Sequence, residues 1–361
     1  MGILRCFLAI IVIIDHTSPF LGLTFIGGTL AVQSFYIISG FYMSLILNEK
    51  YINKNNSYKL YITNRLLRLY PIYWAVLLII VFSSLVLFFF TNGEKTGALE
   101  IFFSNFENLK FSSLVILIFT NIFIFFQDVL LFFQIGSNGL LQFQPNFNLS
   151  KLPAFNFSLI PQAWTVGLEL WFYLIAPFIV KRKTWLLILL IVISFTFNLY
   201  LTQGLKLNYT PWNFRFFPSE IIFFIIGALS YKIYKNNLFK KYIIFKKLIY
   251  ILFIILILLF NFLDFIEFSI LKNIYFFTLF LIIPILFKNT KHIKIDRLVG
   301  ELSYPIYINH LFLISILTFT KITYINNVYF VCILSIIFSY ILNLTISKRI
   351  EAYRQKRVLS K

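Results

Sequence analysis

The chain has 361 residues, of which 60% are hydrophobic and 20% aromatic. A water-soluble domain cannot bury so large an apolar fraction in one core, so the composition excludes a soluble enzyme. The net charge of +19 would suggest nucleic-acid binding in a soluble protein, but here basic clusters alternate with apolar segments. That alternation is typical of a protein that crosses a membrane several times.

Each crossing needs roughly 20 apolar residues, so the sequence predicts an all-α membrane protein, a bundle of about ten transmembrane helices. The predicted spans are residues 3–20, 25–47, 71–90, 161–180, 184–203, 217–234, 247–263, 273–288, 300–318 and 327–347. We predict one transmembrane domain over residues 1–347, followed by a basic cytoplasmic tail over residues 348–361.

The distribution of lysine and arginine predicts the orientation of the bundle. If the N-terminus is cytoplasmic, seven of the 32 basic residues lie outside and 24 lie in the inside segments 48–70, 181–183, 231–247, 288–297 and 348–361. An excess of basic residues marks cytoplasmic loops. We therefore expect a multi-pass protein of the cytoplasmic (inner) cell membrane, with both termini in the cytoplasm.

One further apolar segment, residues 111–133, lies in the first large outer loop. Counting it as a span would place the basic residues 181–183 outside, so we expect it to be re-entrant or interfacial; an ordinary span that breaks the charge pattern is the alternative. It carries Asn121, Gln127 and Asp128, and polar groups at membrane depth are tolerated where protein or a water-filled cavity surrounds them. The outer region 91–160 would then form a lid.

The first span contains Arg5 and His16, which are eleven residues apart. Eleven residues make about three helical turns, so both side chains project from one face about 16 Å apart. Ionisable groups in a span usually face a cavity, and a histidine there can deprotonate a hydroxyl or accept an acyl group itself. The alternative is that Arg5 reaches the lipid headgroups while His16 lies at the opposite interface.

A second basic pattern precedes the third span. Arg65 and Arg68 are three residues apart, so they share one face of a helix. Guanidinium groups bind phosphate oxygens bidentately. The pair therefore suits the phosphates of a cytoplasmic donor such as coenzyme A, or alternatively anchors the chain to lipid headgroups.

The fourth span carries Glu169 about one helical turn into the membrane, close in sequence to Trp164 and Tyr173. A lone carboxylate in a span usually has a function. Glu169 can pair with Arg5 or His16 and raise the basicity of the histidine. A proton-coupled transporter would use such a carboxylate equally well.

The ninth span contains a second intramembrane histidine, His310, after Ser303 and Tyr304. We expect it to line the same cavity as His16, whereas His292 lies in a basic loop and is predicted to be solvated. Cys6 and Cys332 lie in apolar segments without metal-ligand spacing, so we predict neither a disulfide nor a metal site.

The order and spacing of these features resemble the acyltransferase 3 family of integral membrane O-acyltransferases. The resemblance covers essentially the whole chain. It is carried by Arg5 and His16 with ten residues between them, Gln33 to Phe41 in the second span, Arg65-x-x-Arg68 before Tyr70-Pro71, Trp164 to Glu169, and Ser303-Tyr304 to His310.

The resemblance implies a ten-helix bundle that transfers an acyl group, usually acetyl, from cytoplasmic acyl-CoA to a hydroxyl of an envelope polysaccharide or glycolipid such as lipopolysaccharide. It makes His16, Arg5 and Glu169 catalytic, assigns Arg65 and Arg68 to acyl-CoA binding, and involves no metal. Thr165 replaces a serine of the family pattern but keeps the hydroxyl. The expected residues of the substrate cavity are Trp164, Tyr173, Ser39, Tyr304 and His310.

Some relatives carry a further hydrolase-like domain, and we expect this chain to act as a stand-alone membrane domain.

The main rival function is a proton-coupled transporter or glycan flippase, in which the same ionisable residues bind substrate or carry protons. We expect amide and aromatic side chains of the lid to determine the specificity for the acceptor glycan. These are Asn138, Gln142, Phe143, Gln144, Asn146, Phe147 and Asn148.

Overall fold

A computed structural model describes residues 1–51, 57–238, 243–263, 266–319 and 328–359. These residues are mostly helical, which confirms the predicted all-α membrane fold. The helices are α1 (Gly2–His16), α2 (Gly27–Glu49), α3 (Ser57–Phe90), α4 (Glu100–Asn105), α5 (Phe111–Phe123), α6 (Trp164–Ile179), α7 (Thr184–Leu199), α8 (Phe217–Lys235), α9 (Ile243–Leu259), α10 (Phe268–Thr290), α11 (Lys294–Phe319), α12 (Val328–Leu342) and α13 (Lys348–Leu359).

Seven segments in the described part of the chain are long and apolar enough to cross a membrane: Gly27–Glu49, Ser57–Phe90, Thr184–Gly204, Phe217–Lys235, Phe245–Phe262, Phe268–Thr290 and Val328–Val358. Helices α1, α6 and α11 occupy the three other predicted spans. Since α1 has 15 residues and α6 has 16, each is about 22–24 Å long, which is shorter than a 30 Å hydrocarbon core. Residue 327, the first of the predicted span 327–347, lies outside the described residues, as do residues 360 and 361 at the end of the predicted tail.

The chain divides into two compact units. Unit 1 comprises residues 1–67, 173–192 and 221–361, and unit 2 comprises residues 68–172 and 193–220. The divisions fall inside four helices: α3 after Leu67, α6 after Phe172, α7 after Val192 and α8 after Glu220. Unit 1 thus holds α1, α2, α9 to α13 and parts of α3, α6, α7 and α8, while unit 2 holds the other parts of these four helices together with α4 and α5.

Glycines allow helices of unit 1 to approach closely. A Cβ added at Gly40 on α2 would lie 1.9 Å from the carbonyl oxygen of Phe224 on α8, and one added at Gly227 would lie 1.9 Å from that of Ile37. Gly2 and Gly300 meet in the same way where α1 packs against α11. Small residues at such crossings let backbones pack tightly in a membrane, where lipid provides no hydrophobic driving force for helix association.

The apolar segment 111–133 in unit 2 is not one continuous helix. Helix α5 has 13 residues and ends at Phe123, followed by Ile124 and Phe126 at φ +62° and +66°. Thirteen residues span only about 20 Å, less than the hydrocarbon thickness. A short antiparallel hairpin that we did not predict follows, with β1 (Phe133–Ile135) paired to β2 (Leu141–Phe143).

The three polar residues of that segment are buried, with Asn121, Gln127 and Asp128 between 0% and 4% exposed. The Asn121 amide donates to the carbonyls of Leu117 and Phe157 and accepts from the Leu159 N–H at 2.7 Å. Asn121 therefore joins α5 to the chain that precedes α6, and it satisfies backbone groups that would otherwise be buried without partners.

Candidate functional site

The central feature of unit 1 is a pair of histidines on α1 and α11. His16 is the last residue of α1, and its ring centroid lies 5.2 Å from that of His310. His310 is completely buried, whereas His16 is exposed. The structure thus brings together two residues that are 294 positions apart in sequence, at the end of a helix pair that packs along its length.

The hydrogen bonds of both imidazoles fix which nitrogen is available for chemistry. Nδ1 of His16 lies 2.8 Å from the Val12 carbonyl oxygen, and Nδ1 of His310 lies 2.8 Å from that of Tyr307. A carbonyl oxygen only accepts, so each Nδ1 carries the proton and, in the neutral ring, each Nε2 holds the lone pair. Within the described residues, Nε2 of His310 has no hydrogen-bond partner.

Arg5 lies at the opposite end of α1 from His16. Its guanidinium donates to Ser303 Oγ on α11 at 2.8 Å, and it lies 5.9 Å from the centre of the Tyr42 ring. With about 16 Å of helix between them, Arg5 and His16 do not contact each other directly. The contacts of Arg5 with Ser303 and Tyr42 join α1 to α11 and α2 at this end.

Arg65 is a buried cation at the start of α3. It is 4% exposed, and its Nε has no partner among the described residues. Burying a guanidinium without a carboxylate is costly. Within the described residues, Arg65 thus keeps an unused donor at a buried position.

Asn64, the residue before Arg65, makes hydrogen bonds to Tyr51 and to helix α13. Its amide donates to the Tyr51 hydroxyl at 3.1 Å, and its Oδ1 accepts from Arg357 on α13 at 3.1 Å. Arg357 also donates to Thr63 Oγ1 at 2.9 Å. The basic helix α13 is thereby fixed against the segment of α3 that carries Arg65.

The other predicted residues of unit 1 lie within its helices. Ser39 on α2 and Tyr173 on α6 are buried, and Tyr304 on α11 is half-buried. Tyr307, one turn before His310, packs its ring 5.8 Å from that of the histidine and 6.1 Å from that of Phe35 on α2. The aromatic surroundings of His310 thus come from both α2 and α11.

Three predicted site residues belong to unit 2: Arg68, Trp164 and Glu169. Glu169 is half-buried on α6, and Trp164 begins that helix. The guanidinium of Arg215, a residue we did not predict, lies 4.9 Å from the Trp164 ring and 4.9 Å from the Phe214 ring. Glu169 belongs to unit 2, whereas His16 and Arg5 belong to unit 1. A contact of Glu169 with either residue stays a prediction.

Several amides of the expected lid bond to their own loop. Asn138 Oδ1 accepts from the Leu140 N–H and the Gln142 amide, and Asn146 Oδ1 accepts from the Asn148 N–H. Asparagine side chains commonly bond backbone groups two residues ahead in this way. These residues therefore shape the lid, and any contact they make with an acceptor remains a prediction.

Of the contacts that we did not predict, only that of Arg357 has a local sequence pattern that could have indicated it. Arg357 lies in a basic helix that we interpreted only as a charged tail, although its arginines are spaced for one face. The positions of Arg215 beside Trp164, and of Gly40 beside Phe224, depend on long-range packing that no local pattern reveals.

The comparisons with known proteins identify the family of the chain. Residues 1–344 match a family model described as an acyltransferase domain, Acyl_transf_3. No curated protein and no solved structure matches the chain. The match covers nearly the entire sequence and includes both histidines, so the chain belongs to the acyltransferase 3 family and is a membrane acyltransferase.

Proposed function

We propose that this protein is an O-acyltransferase that transfers an acyl group, usually acetyl, from cytoplasmic acyl-CoA to a hydroxyl of an envelope polysaccharide or glycolipid. The observation that carries the proposal is the His16–His310 pair, in which both Nδ1 atoms are tied to helix carbonyls. This arrangement supports a role for Nε2 of the exposed His16 as the base or nucleophile.

In direct transfer, His16 Nε2 takes the proton of the acceptor hydroxyl while the hydroxyl oxygen attacks the thioester carbonyl. The C–O bond forms, the C–S bond breaks, and the imidazolium returns its proton to the departing thiolate of coenzyme A. Holding both substrates together lowers the entropic barrier. Arg65 and Arg68 bind the donor phosphates, and Glu169 stabilises the charged imidazole.

A relay through His16 uses the same residues in two steps. Nε2 of His16 attacks the thioester, the C–S bond breaks and coenzyme A leaves as the thiolate. The acceptor hydroxyl then attacks the acyl-histidine, the N–C bond breaks, and the hydroxyl proton passes to His16 and from there to the thiolate. The two routes differ in one observable. Incubation with labelled acyl donor alone gives a labelled enzyme only in the relay.

The test of the proposed function compares wild type with His16→Ala in a host that lacks envelope acetylation. Mass spectrometry measures the O-acetyl content of purified envelope glycans, and immunoblotting checks that membrane levels of the two proteins match. We expect acetylated glycan with wild type and none with the variant.

The contrary outcome also has a clear meaning. If well-expressed wild type produces no acylation in this host or in native membranes supplied with labelled acetyl-CoA, the proposal is wrong. Movement of substrate across the membrane without acyl-CoA would then favour the transporter or flippase.

A further inference from the structure

A small basic cavity lies in unit 1 away from the histidines, where α8 and α10 end and α9 begins. It has a volume of about 70 Å³. Its lining residues are Ile233, Tyr234, Asn237, Lys246, Pro284, Ile285, Lys288 and Asn289. A cavity needs only about 10–15 Å³ to admit one water molecule, so this one has room for a compact polar group.

The charge in the cavity has one sign. Lys246 and Lys288 both line it, and Lys291 lies beside it, donating to the Tyr234 hydroxyl at 3.1 Å. No carboxylate lines the cavity, and none forms an ion pair with these three lysines in the described part of the chain. In the described part of the chain, no carboxylate lies within ion-pair distance of these three lysines.

The polar groups around the lysines are fixed in place. Lys288 Nζ donates to Asn237 Oδ1 at 3.1 Å, and the Asn289 amide donates to the Tyr250 hydroxyl at 3.0 Å. These bonds join α10 to the segment after α8 and to α9. They leave Lys288 with further donor capacity, since an ammonium group has three N–H bonds.

The backbone beneath the cavity is held by a proline and a serine. Pro284 has no N–H, so it cannot bond to the Phe280 carbonyl one turn earlier. Ser230 Oγ on α8 donates to that carbonyl at 2.9 Å. The bond holds α8 and α10 together, so the cavity is a built feature of the helix packing.

We propose that this cavity binds a phosphate group at the cytoplasmic surface, most simply the headgroup of an anionic phospholipid. The sequence predicts that this end of α8, α9 and α10 is cytoplasmic. Basic pockets between transmembrane helices on that side bind anionic headgroups. Coenzyme A offers the same phosphate chemistry, so the experiment separates the two sources; the lipid assignment does not depend on the proposed function.

The test uses the full chain purified in neutral detergent and analysed by native mass spectrometry. Phosphatidylglycerol and phosphatidylcholine with identical acyl chains are titrated separately. We expect wild type to prefer phosphatidylglycerol, and the double variant Lys246→Gln/Lys288→Gln to lose about tenfold in affinity for it. The control is Lys247→Gln, because Lys247 is the exposed neighbour of Lys246 and lies outside the cavity lining.

A second double variant, Lys246→Arg/Lys288→Arg, keeps the charge and checks folding. It should bind like wild type and elute from gel filtration as wild type does. The proposal is overturned if wild type shows no preference for the anionic lipid, if the glutamine pair binds as tightly as wild type, or if Lys247→Gln loses as much affinity.

A further arm titrates coenzyme A against the same proteins. If coenzyme A displaces phosphatidylglycerol from wild type and the glutamine pair loses both ligands, the phosphate of coenzyme A occupies the cavity. If the glutamine pair loses the lipid alone, the lipid is the occupant. Because neither readout measures acyl transfer, a failure of this proposal is distinguishable from a failure of the proposed function.

Discussion

His310 on α11 in unit 1 and Asn121 on α5 in unit 2 are both buried, but they use their polar atoms differently. His310 uses Nδ1 to bond its own helix and leaves Nε2 without a partner among the described residues. Asn121 uses its oxygen and its nitrogen to hold three backbone groups. Of these two residues, only His310 keeps a polar atom that the described backbone does not use.

After the loss of His16, the largest expected effect tests whether unit 2 contributes to the chemistry at all. Glu169→Gln should lower the rate of acyl transfer about a hundredfold, because in the proposed mechanism the carboxylate stabilises a charged histidine during proton transfer. The rate is measured with labelled acyl donor in reconstituted membranes. Glu107→Gln, an exposed acidic residue of the same unit, is the control.

Full activity of Glu169→Gln would restrict the catalytic groups to unit 1. A loss of the same size in the Glu107 variant would instead reveal a general effect of removing charge from unit 2.

A stability measurement tests the packing that supports the histidine-bearing unit. Gly40→Ala places a Cβ against the Phe224 backbone, which cannot move aside as a side chain can, so we expect a loss of about 1–3 kcal/mol. Thermal unfolding in detergent should show the lower Tm. Gly204→Ala is the matched control. Its new Cβ would lie 3.1 Å from the ring of Tyr200, a side chain that can move aside, and not against backbone. Equal melting of the two variants would contradict the close crossing of α2 and α8.

A smaller effect tests whether α13 belongs to the donor site. Arg357→Gln removes the bonds to Thr63 and Asn64, so Arg65 is less well positioned and the KM for acyl-CoA should rise about tenfold with kcat unchanged. Lys356→Gln, at the exposed neighbouring position, should leave KM unchanged. A fall in kcat with constant KM would show that Arg357 does not act through donor binding.

The smallest effect concerns the start of the α1–α11 pair. Asp296 precedes the predicted ninth span; burial raises its pKa, but hydrogen bonds from the N–H groups of Ile3 and Gly2 and the nearby Met1 amino group lower the pKa to about 2. The folded pKa lies below that of an unfolded aspartate, about 3.9. The carboxylate therefore stabilises the fold above about pH 4, and this contribution disappears as the pH falls through about 2.

Asp296→Asn should accordingly be less stable than wild type at neutral pH by about 1–2 kcal/mol, and the difference should vanish near pH 2. Thermal unfolding across this pH range measures both quantities. Glu301→Gln on the same helix is the control, and a pH-independent difference between wild type and Asp296→Asn would contradict the assigned ionisation.

Much of the fold could be predicted because apolar segments and basic loops are local patterns. Helices α2, α7, α8 and α10 begin within a few residues of their predicted starts. Helix α3 begins much earlier than predicted, at Ser57, because its basic first turns are helical although they are not apolar. The hairpin β1–β2 was not predicted, since its strands have only three residues each, too few to show a period-two pattern, and they lie in the region that we interpreted as a lid.

The site could be predicted only in part. The positions of Arg5 and His16 on one helix face follow from their spacing, and His310 was identified as a second histidine within a predicted span. The contact between the His16 and His310 rings depends on α1 packing against α11, and the contact of Arg357 with Asn64 depends on the chain returning to α3 after nearly 300 residues. Such long-range contacts leave no periodic signal in one sequence.

The central claim is that His16 performs the acyl transfer, and one measurement tests it most directly. Wild type, His16→Ala and His292→Ala are reconstituted at equal amounts, and transfer from labelled acyl-CoA to an envelope glycan acceptor is followed over time. Since general-base catalysis contributes up to about ten-thousandfold, we predict a loss of about a thousandfold or more in the His16 variant. His292, exposed in a turn before α11, should be dispensable, and a His16 variant as active as wild type would contradict the account.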